Sequence, residues 1–305
     1  MPSRAPAGAF MATFKQLIAG AAAELKQADI FCGHGYESTH DEAVALVLAA
    51  AGLPIDTDQS LLNEEVSADI QVLTDTLLKQ RIEERRPTAY IIGKAWLGPL
   101  EFISDDRALV PRSPLMEVIA ADYQPWLSGS PSHLVDLCCG GGSLGILAAK
   151  NRPELSVTLV DIDTPALSLA RENVALHEVP KVRLIKGDLL SSLAPSSVDV
   201  ILANPPYVDA EDMQSLPREF MHEPSLALAA GDDGLDLVHR LLIQASFCLS
   251  EDGFLFLEVG NSWQALERAY PDFSFDWREL EWGGHGVCAI GKQELQYLRS
   301  CAPRE

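Results

Sequence analysis

The chain has 305 residues, 47% of them hydrophobic, enough for one large domain or two of ordinary size. Its 44 acidic against 23 basic residues give a formal net charge of -21, a surface that repels phosphate backbones, excludes direct binding to bare duplex DNA and attracts basic partners. No apolar run reaches bilayer length, and six cysteines without C-x-x-C spacing point to a reduced, cytoplasmic protein that neither enters a membrane nor carries a metal site.

Residues 1–8, rich in Pro, Ala and Gly, are expected to fray. Phe10, Phe14, Leu17, Ile18, Ala21, Ala22 and Leu25 recur at helical spacing and predict a helix over 10–28. A second helix is predicted over 40–51, with Gly52 and Pro54 as its stop signals. Residues 60–86 read as one or two more, bent near 67–70 and closed by Pro87. Residues 1–90 thus form a small helical domain with no catalytic pattern of its own. The stretches 90–93 and 100–103 read as strands around a Gly98-Pro99 turn, giving a β-hairpin linker over 91–112. Ser113 suits an N-cap and Pro114 the first position of a helix running through 117 to about 126.

Beyond Leu134 strands and helices alternate, so residues 113–305 are expected to build an α/β domain with a mostly parallel sheet covered on both faces. Strands are predicted over 133–137, 157–160, 182–186, 198–203 and 253–259. Helices are predicted over 143–150, 164–177, 234–249 and 263–269, and two terminal strands over 273–281 and 286–290.

Three polar sites fall at the carboxyl ends of successive predicted strands, where open α/β sheets bind ligands. After the first strand, which carries Asp136, the loop Cys138-Cys139-Gly140-Gly141-Gly142 lets a ligand approach the backbone closely. Asp161, roughly 20 residues after Gly140, is placed to take two ribose hydroxyls. Asp188 can accept from an adenine amino group, with Leu189 packed on the ring. Together these describe an adenosine pocket. Gly140-x-Gly142-x-x-Gly145 also matches a dinucleotide fingerprint, but Asp136 stands just before it and a nicotinamide enzyme leaves the next motif without a role.

That motif is Asn204-Pro205-Pro206-Tyr207, closing the fourth strand. Pro205 lacks an N–H and biases Asn204 toward an extended backbone, and Pro206 does the same to Pro205. The Asn204 side-chain oxygen and a neighbouring backbone oxygen then face one pocket as paired acceptors. Two acceptors aimed at one point suit an NH₂ group, with Tyr207 as an aromatic wall.

Residues from about 90 to 290 resemble the class I, Rossmann-like, S-adenosylmethionine-dependent protein-glutamine N5-methyltransferases, whose layout also includes a small N-terminal helical domain. The resemblance rests on Asp136 to Gly142, Asp161, Asp188 and Asn204 to Tyr207, with the cysteine pair standing where many relatives have a Gly/Thr-rich run. Val110-Pro111-Arg112-Ser113-Pro114, Glu223-Pro224-Ser225-Leu226-Ala227-Leu228, Gly231-Asp232-Asp233-Gly234-Leu235 and Trp282-Gly283-Gly284-His285-Gly286-Val287 resemble the branch that modifies large-subunit ribosomal protein three. The resemblance implies a seven-stranded, mostly parallel sheet, S-adenosylmethionine as cofactor and S-adenosylhomocysteine as product. It also implies a helical domain that recognises a basic ribosomal protein, and a role supporting ribosome assembly.

In the site it implies, Asp136, Cys138, Cys139, Gly140, Gly141, Gly142, Asp161, Asp188, Leu189 and Asn204 hold the cofactor. Asn204, Pro205, Pro206 and Tyr207 hold the glutamine amide, and Asn204, Pro205 and Tyr207 act in transfer. Glu223 and Glu258 fit either the ligand end of the site or a structural cap, and Arg112 fits a linker-positioning role. The rival readings are the sister activity on peptide-chain release factors, an adenine N6-methyltransferase on nucleic acid, and a non-catalytic assembly factor.

Overall fold

The computed structural model describes residues 12–281 and 284–301, and the chain divides after Gly93 into two compact units. The expected fraying of residues 1–8, the helical start at Phe10 and the pair Trp282-Gly283 lie outside the described residues.

The first unit holds α1 (Phe14–Gln27), α2 (Thr39–Ala50), a 3₁₀ turn over Gln59–Asn63, α3 (Ala68–Glu83) and α4 (Thr88–Ile92). Thr13 and Gln16 form a capping box at the start of α1, each side chain bonding the other's backbone N–H. Phe14, Ile18, Ala21 and Leu25, spaced along one face of α1, share a core with Leu46 and Val47 of α2 and Leu78 of α3. Inside this unit Glu42 takes two bonds from Arg81 (2.6 and 3.0 Å) and one from the Thr88 hydroxyl (2.8 Å). The buried ion pair is thereby satisfied and links α2, α3 and α4.

The second unit begins with the antiparallel hairpin β1 (Lys94–Leu97) and β2 (Leu100–Ile103), followed by α5 (Leu115–Ala120). The alternating part comprises β3 (His133–Leu137), α6 (Ser143–Asn151), β4 (Ser156–Asp161), α7 (Thr164–His177), β5 (Val182–Lys186) and β6 (Val198–Ala203). It continues through α8 (Asp212–Ser215), α9 (Asp236–Cys248), β7 (Leu249–Glu258), α10 (Trp263–Ala269), β8 (Asp276–Arg278), β9 (Val287–Gly291) and α11 (Lys292–Cys301). One seven-stranded sheet has the order β5-β4-β3-β6-β7-β9-β8, and β9 runs antiparallel to both of its neighbours. The first five strands are parallel, as expected.

Side-chain alternation sorts the strands between two cores. Leu134, Val200, Leu202 and Phe256 face the layer that holds α5 and α6. Val135, Leu137, Ile201, Ala203, Leu255 and Leu257 face the layer that holds α9 and α11. The chain reverses direction across the sheet between β3 and β6, which opens a crevice at their carboxyl ends.

Several expectations are corrected. Residues 90–93 are not a strand: Pro87 starts a short helix, its carbonyl accepting the Tyr90 and Ile91 N–H groups, and this local context overrides the β-propensity of Tyr90, Ile91 and Ile92. The first hairpin strand is therefore Lys94–Leu97. The helix expected to reach residue 126 ends at Ala120, because Asp122 and Tyr123 take positive φ and Pro125 cannot continue it. The strand expected over 273–281 shrinks to Asp276–Arg278, and α11 was not anticipated.

Candidate active site

A cavity of about 710 Å³ opens at the carboxyl ends of β3, β4 and β6, within the size range of small-molecule sites. Asp136, Cys138, Cys139, Gly140, Gly141, Asp161, Asp188, Leu189, Asn204, Pro205, Pro206 and Tyr207 all line it. Gly142 does not. It caps α6 with φ +80°, and a Cβ there would lie 2.8 Å from Leu159 Cδ1, so a glycine is required there for helix–sheet packing.

The loop between β3 and α6 is stitched to β4. The Cys139 N–H donates to the Val160 carbonyl (3.1 Å), and the Gly140 N–H donates to Asp161 Oδ2 (2.8 Å). Cys138 takes φ +55°, unusual for a residue with a Cβ. Burial pushes both thiols upward, so at neutral pH they are uncharged packing groups rather than nucleophiles. Asn173 of α7 was missed in the sequence: its amide accepts from the Ile103 N–H and donates to the carbonyls of Ile103 and Gly141, tying the hairpin to this loop.

Asp136 is 1% exposed, and among the described residues its side chain bonds the Gly145 N–H (2.8 Å). Desolvation lifts its carboxyl to about 7, against the opposing pull of that N–H, and the Asp161 charge adds to the rise. Such a carboxyl suits a cationic ligand group, which repays the desolvation. Asp161 is also raised by burial; its oxygens accept the N–H groups of Gly140 and Asp163, leaving further lone pairs. Asp188 is half exposed and held by Arg240 of α9 (2.5 Å), an arginine on the cavity wall that the sequence reading did not single out.

The motif after β6 divides into open and clamped parts. Among the described residues no group bonds to the Asn204 side chain, and no donor reaches the Pro205 carbonyl. Both residues line the cavity. Tyr207, in contrast, donates its phenol to Glu258 (3.3 Å), and its carbonyl accepts the Ser262 hydroxyl (2.7 Å). Glu258 is 6% exposed and is lifted to about 7 by desolvation, opposed by the Ser113 and Tyr207 hydroxyls and by Arg112. Glu223 makes a bidentate pair with Arg112 (2.5 and 2.8 Å) and accepts the Val110 N–H, so it is a structural anchor for the segment entering α5. α5 starts at Leu115, one residue later than expected, so Pro114 holds the cap position, and the Ser113 hydroxyl still accepts the Leu115 N–H (3.3 Å) as a capping side chain would. His285 lies at the rim and bonds the Asn261 side chain.

A family model described as "Methyltransferase small domain" matches residues 126–233. Over 286 residues the chain is 38% identical to the "Ribosomal protein uL3 glutamine methyltransferase" of Francisella tularensis subsp. tularensis, covering 93% of this chain and 91% of that relative. It is 41% identical over 284 residues to the protein of the same name from Xanthomonas campestris pv. campestris, covering 93% and 92%. Among solved structures, the ribosomal protein L11 methylase of Lactobacillus delbrueckii subsp. bulgaricus aligns with TM-score 0.42 and 20% identity, over 61% of this chain and 81% of that one.

Proposed function

The chain belongs to the family of ribosomal protein uL3 glutamine methyltransferases, and from that membership we infer that Asn204 and Pro205 bind and orient the glutamine amide that it methylates. It is an S-adenosylmethionine-dependent enzyme whose substrate is the side-chain amide nitrogen of a glutamine in ribosomal protein uL3. When bound, the cofactor supplies a sulfonium methyl group and leaves as S-adenosylhomocysteine.

An amide nitrogen is a poor nucleophile, because its lone pair is delocalised into the carbonyl. The Asn204 side-chain oxygen and the Pro205 carbonyl accept the two N–H groups of the substrate amide, which fixes the nitrogen's direction of attack. The same two oxygens favour the positive charge that grows on nitrogen as the new bond forms. Tyr207 packs against the amide plane, and Pro206 keeps the Pro205 carbonyl from turning away. No base is needed before transfer, since the proton leaves once nitrogen is alkylated. The reading is carried by the coexistence, on one cavity wall, of open acceptors at Asn204 and Pro205 with a tyrosine clamped by Glu258 and Ser262.

The strand-end carboxylates fit the cofactor's chemistry. Asp136 would take its ammonium, Asp161 its ribose hydroxyls and Asp188 its adenine amino group, with Leu189 available to pack on the ring. Gly140 and Gly141 would allow close backbone approach, and Cys138 and Cys139 line the same cavity. In this reading the substrate is a basic protein met in the cytoplasm during ribosome assembly, which the net charge of -21 supports. No helix among the described residues is long and apolar enough to cross a membrane.

The test is transfer of labelled methyl from the cofactor to purified uL3, release factors and nucleic acid, offered separately, with the labelled residue located by peptide mass analysis. Label on a uL3 glutamine is expected. Asn204→Ala should lower kcat by roughly 100-fold or more while calorimetry shows unchanged cofactor affinity. Label on release factors or nucleic acid instead, or no cofactor binding at all, would overturn the reading in favour of a sister enzyme or a non-catalytic assembly factor.

A further inference from the structure

Beyond the acceptors themselves, the cavity wall holds a carboxylate that the transfer chemistry does not use. Glu258 ends β7 and is flanked in that strand by Leu255, Phe256 and Leu257, all fully buried. An apolar residue would be the cheaper occupant, since burying a carboxylate costs several kcal/mol unless it is well paired. Among the described residues no guanidinium or ammonium bonds to it. Its two oxygens are divided instead between two hydroxyls: Ser113 donates to Oε2 (2.5 Å) and Tyr207 to Oε1 (3.3 Å).

Those partners lie 145 and 51 residues away, so the contact joins the segment entering α5, the loop after β6 and the end of β7. Tyr207 is also fixed on its other sides. Its ring lies so close to Gly260 that a Cβ there would sit 2.5 Å from Cε2, and its carbonyl is held by Ser262. A side chain pinned at phenol, ring and carbonyl is more constrained than core packing alone requires.

We infer that Glu258 is a positioning residue for methyl transfer: by taking the Tyr207 phenol on one oxygen while Ser113 anchors the other, it fixes the aromatic wall beside the Asn204 and Pro205 acceptors. This rests on the functional reading above. Glu258 touches neither substrate nor cofactor in this account; it acts through Tyr207, which sets how tightly the amide plane is confined. A displacement of about 1 Å at such a wall is enough to cost roughly 100-fold in rate.

Four proteins test it: the unaltered chain, Glu258→Met, Tyr207→Phe and the double variant, with Glu258→Gln as the conservative control. Met keeps the length of the side chain without its acceptors. Gln keeps an acceptor for Tyr207 and a donor for the Ser113 oxygen. With uL3 as substrate, Glu258→Met should lower kcat roughly 10- to 100-fold while leaving cofactor affinity unchanged by calorimetry. Glu258→Gln should restore most of the rate. Adding Glu258→Met to Tyr207→Phe should cost little more, since both break the same link. Full kcat in Glu258→Met, no rescue by Gln, or losses that multiply in the double variant would each overturn the assignment. If the unaltered chain binds cofactor but leaves uL3 unmodified, the functional reading fails on its own. Thermal melts of the same four proteins then decide the link: coupled shifts support it, and additive shifts remove it.

Discussion

Asp136 is a buried carboxyl that costs the fold stability at neutral pH, and in the proposed site it meets the ammonium of the cofactor. Its carboxyl is held near 7 by desolvation, against an ordinary aspartate value of about 3.9 in the unfolded chain. Between those two values the native state carries a proton that the unfolded state has lost. This residue therefore favours folding as pH drops from 7 toward 4, and disfavours it above about 7, where it must ionise while buried. A bound ammonium reverses the preference by stabilising the ionised form. Cofactor binding should then release a proton near neutral pH, and affinity should fall as pH drops below about 7, approaching tenfold per unit. Calorimetry in buffers of different ionisation enthalpy reads both effects. Asp136→Asn keeps an acceptor for the Gly145 N–H. It should raise the melting temperature of the cofactor-free protein at pH 8, weaken cofactor binding and flatten its pH dependence. A variant that binds cofactor normally at every pH would remove Asp136 from the site.

Between elements, the joints that matter are ones that local sequence rules do not reveal. Arg112 stands before α5 and Glu223 in the segment between β6 and α9, 111 residues apart, yet they form a bidentate pair whose glutamate side chain is 0% exposed. The guanidinium also lies over the Phe220 ring at 5.5 Å. Arg112→Met should cost about 3–5 kcal/mol in urea unfolding, because it removes the counter-ion of a buried carboxylate. Arg112→Met with Glu223→Met should recover most of that loss, and equal losses in the single and double variants would contradict the account. Elements with strong local signals were legible in the sequence. Thr164 and Pro165 mark the start of α7, and the apolar runs ending at Lys186 and Ala203 give β5 and β6 their observed bounds. α11 was not legible, since it is polar except for the face carrying the buried Leu295 and Leu298. The stretch at 90–93 misled because Tyr90, Ile91 and Ile92 read as strand formers, yet they lie in a helical turn that Pro87 begins, with Tyr90 buried and both isoleucines half-buried. In the site, the strand-end carboxylates could be read because strand ends are local signals. Ser113–Glu258, Arg240–Asp188 and the Asn173 bridge could not, because each depends on how distant segments meet.

For the whole molecule the governing quantity is charge. A net charge of -21 on 305 residues sets up a field extending well beyond contact distance at low ionic strength. Nucleic acid is repelled by that field, whereas a basic protein is drawn in and its encounter accelerated. The screening length is about 10 Å at 0.1 M salt and about 3 Å at 1 M. If uL3 is steered this way, kcat/KM for the protein substrate should fall about tenfold or more between low and high salt, mostly through encounter. kcat at saturating substrate should change little, because the acceptors at Asn204 and Pro205 act within the cavity, at short range. A short glutamine peptide without basic residues would not feel the long-range field, so its kcat/KM should be low and nearly independent of salt. Parallel salt dependence for the peptide and the whole protein would place the effect in the cavity rather than on the surface, and the steering argument would fail.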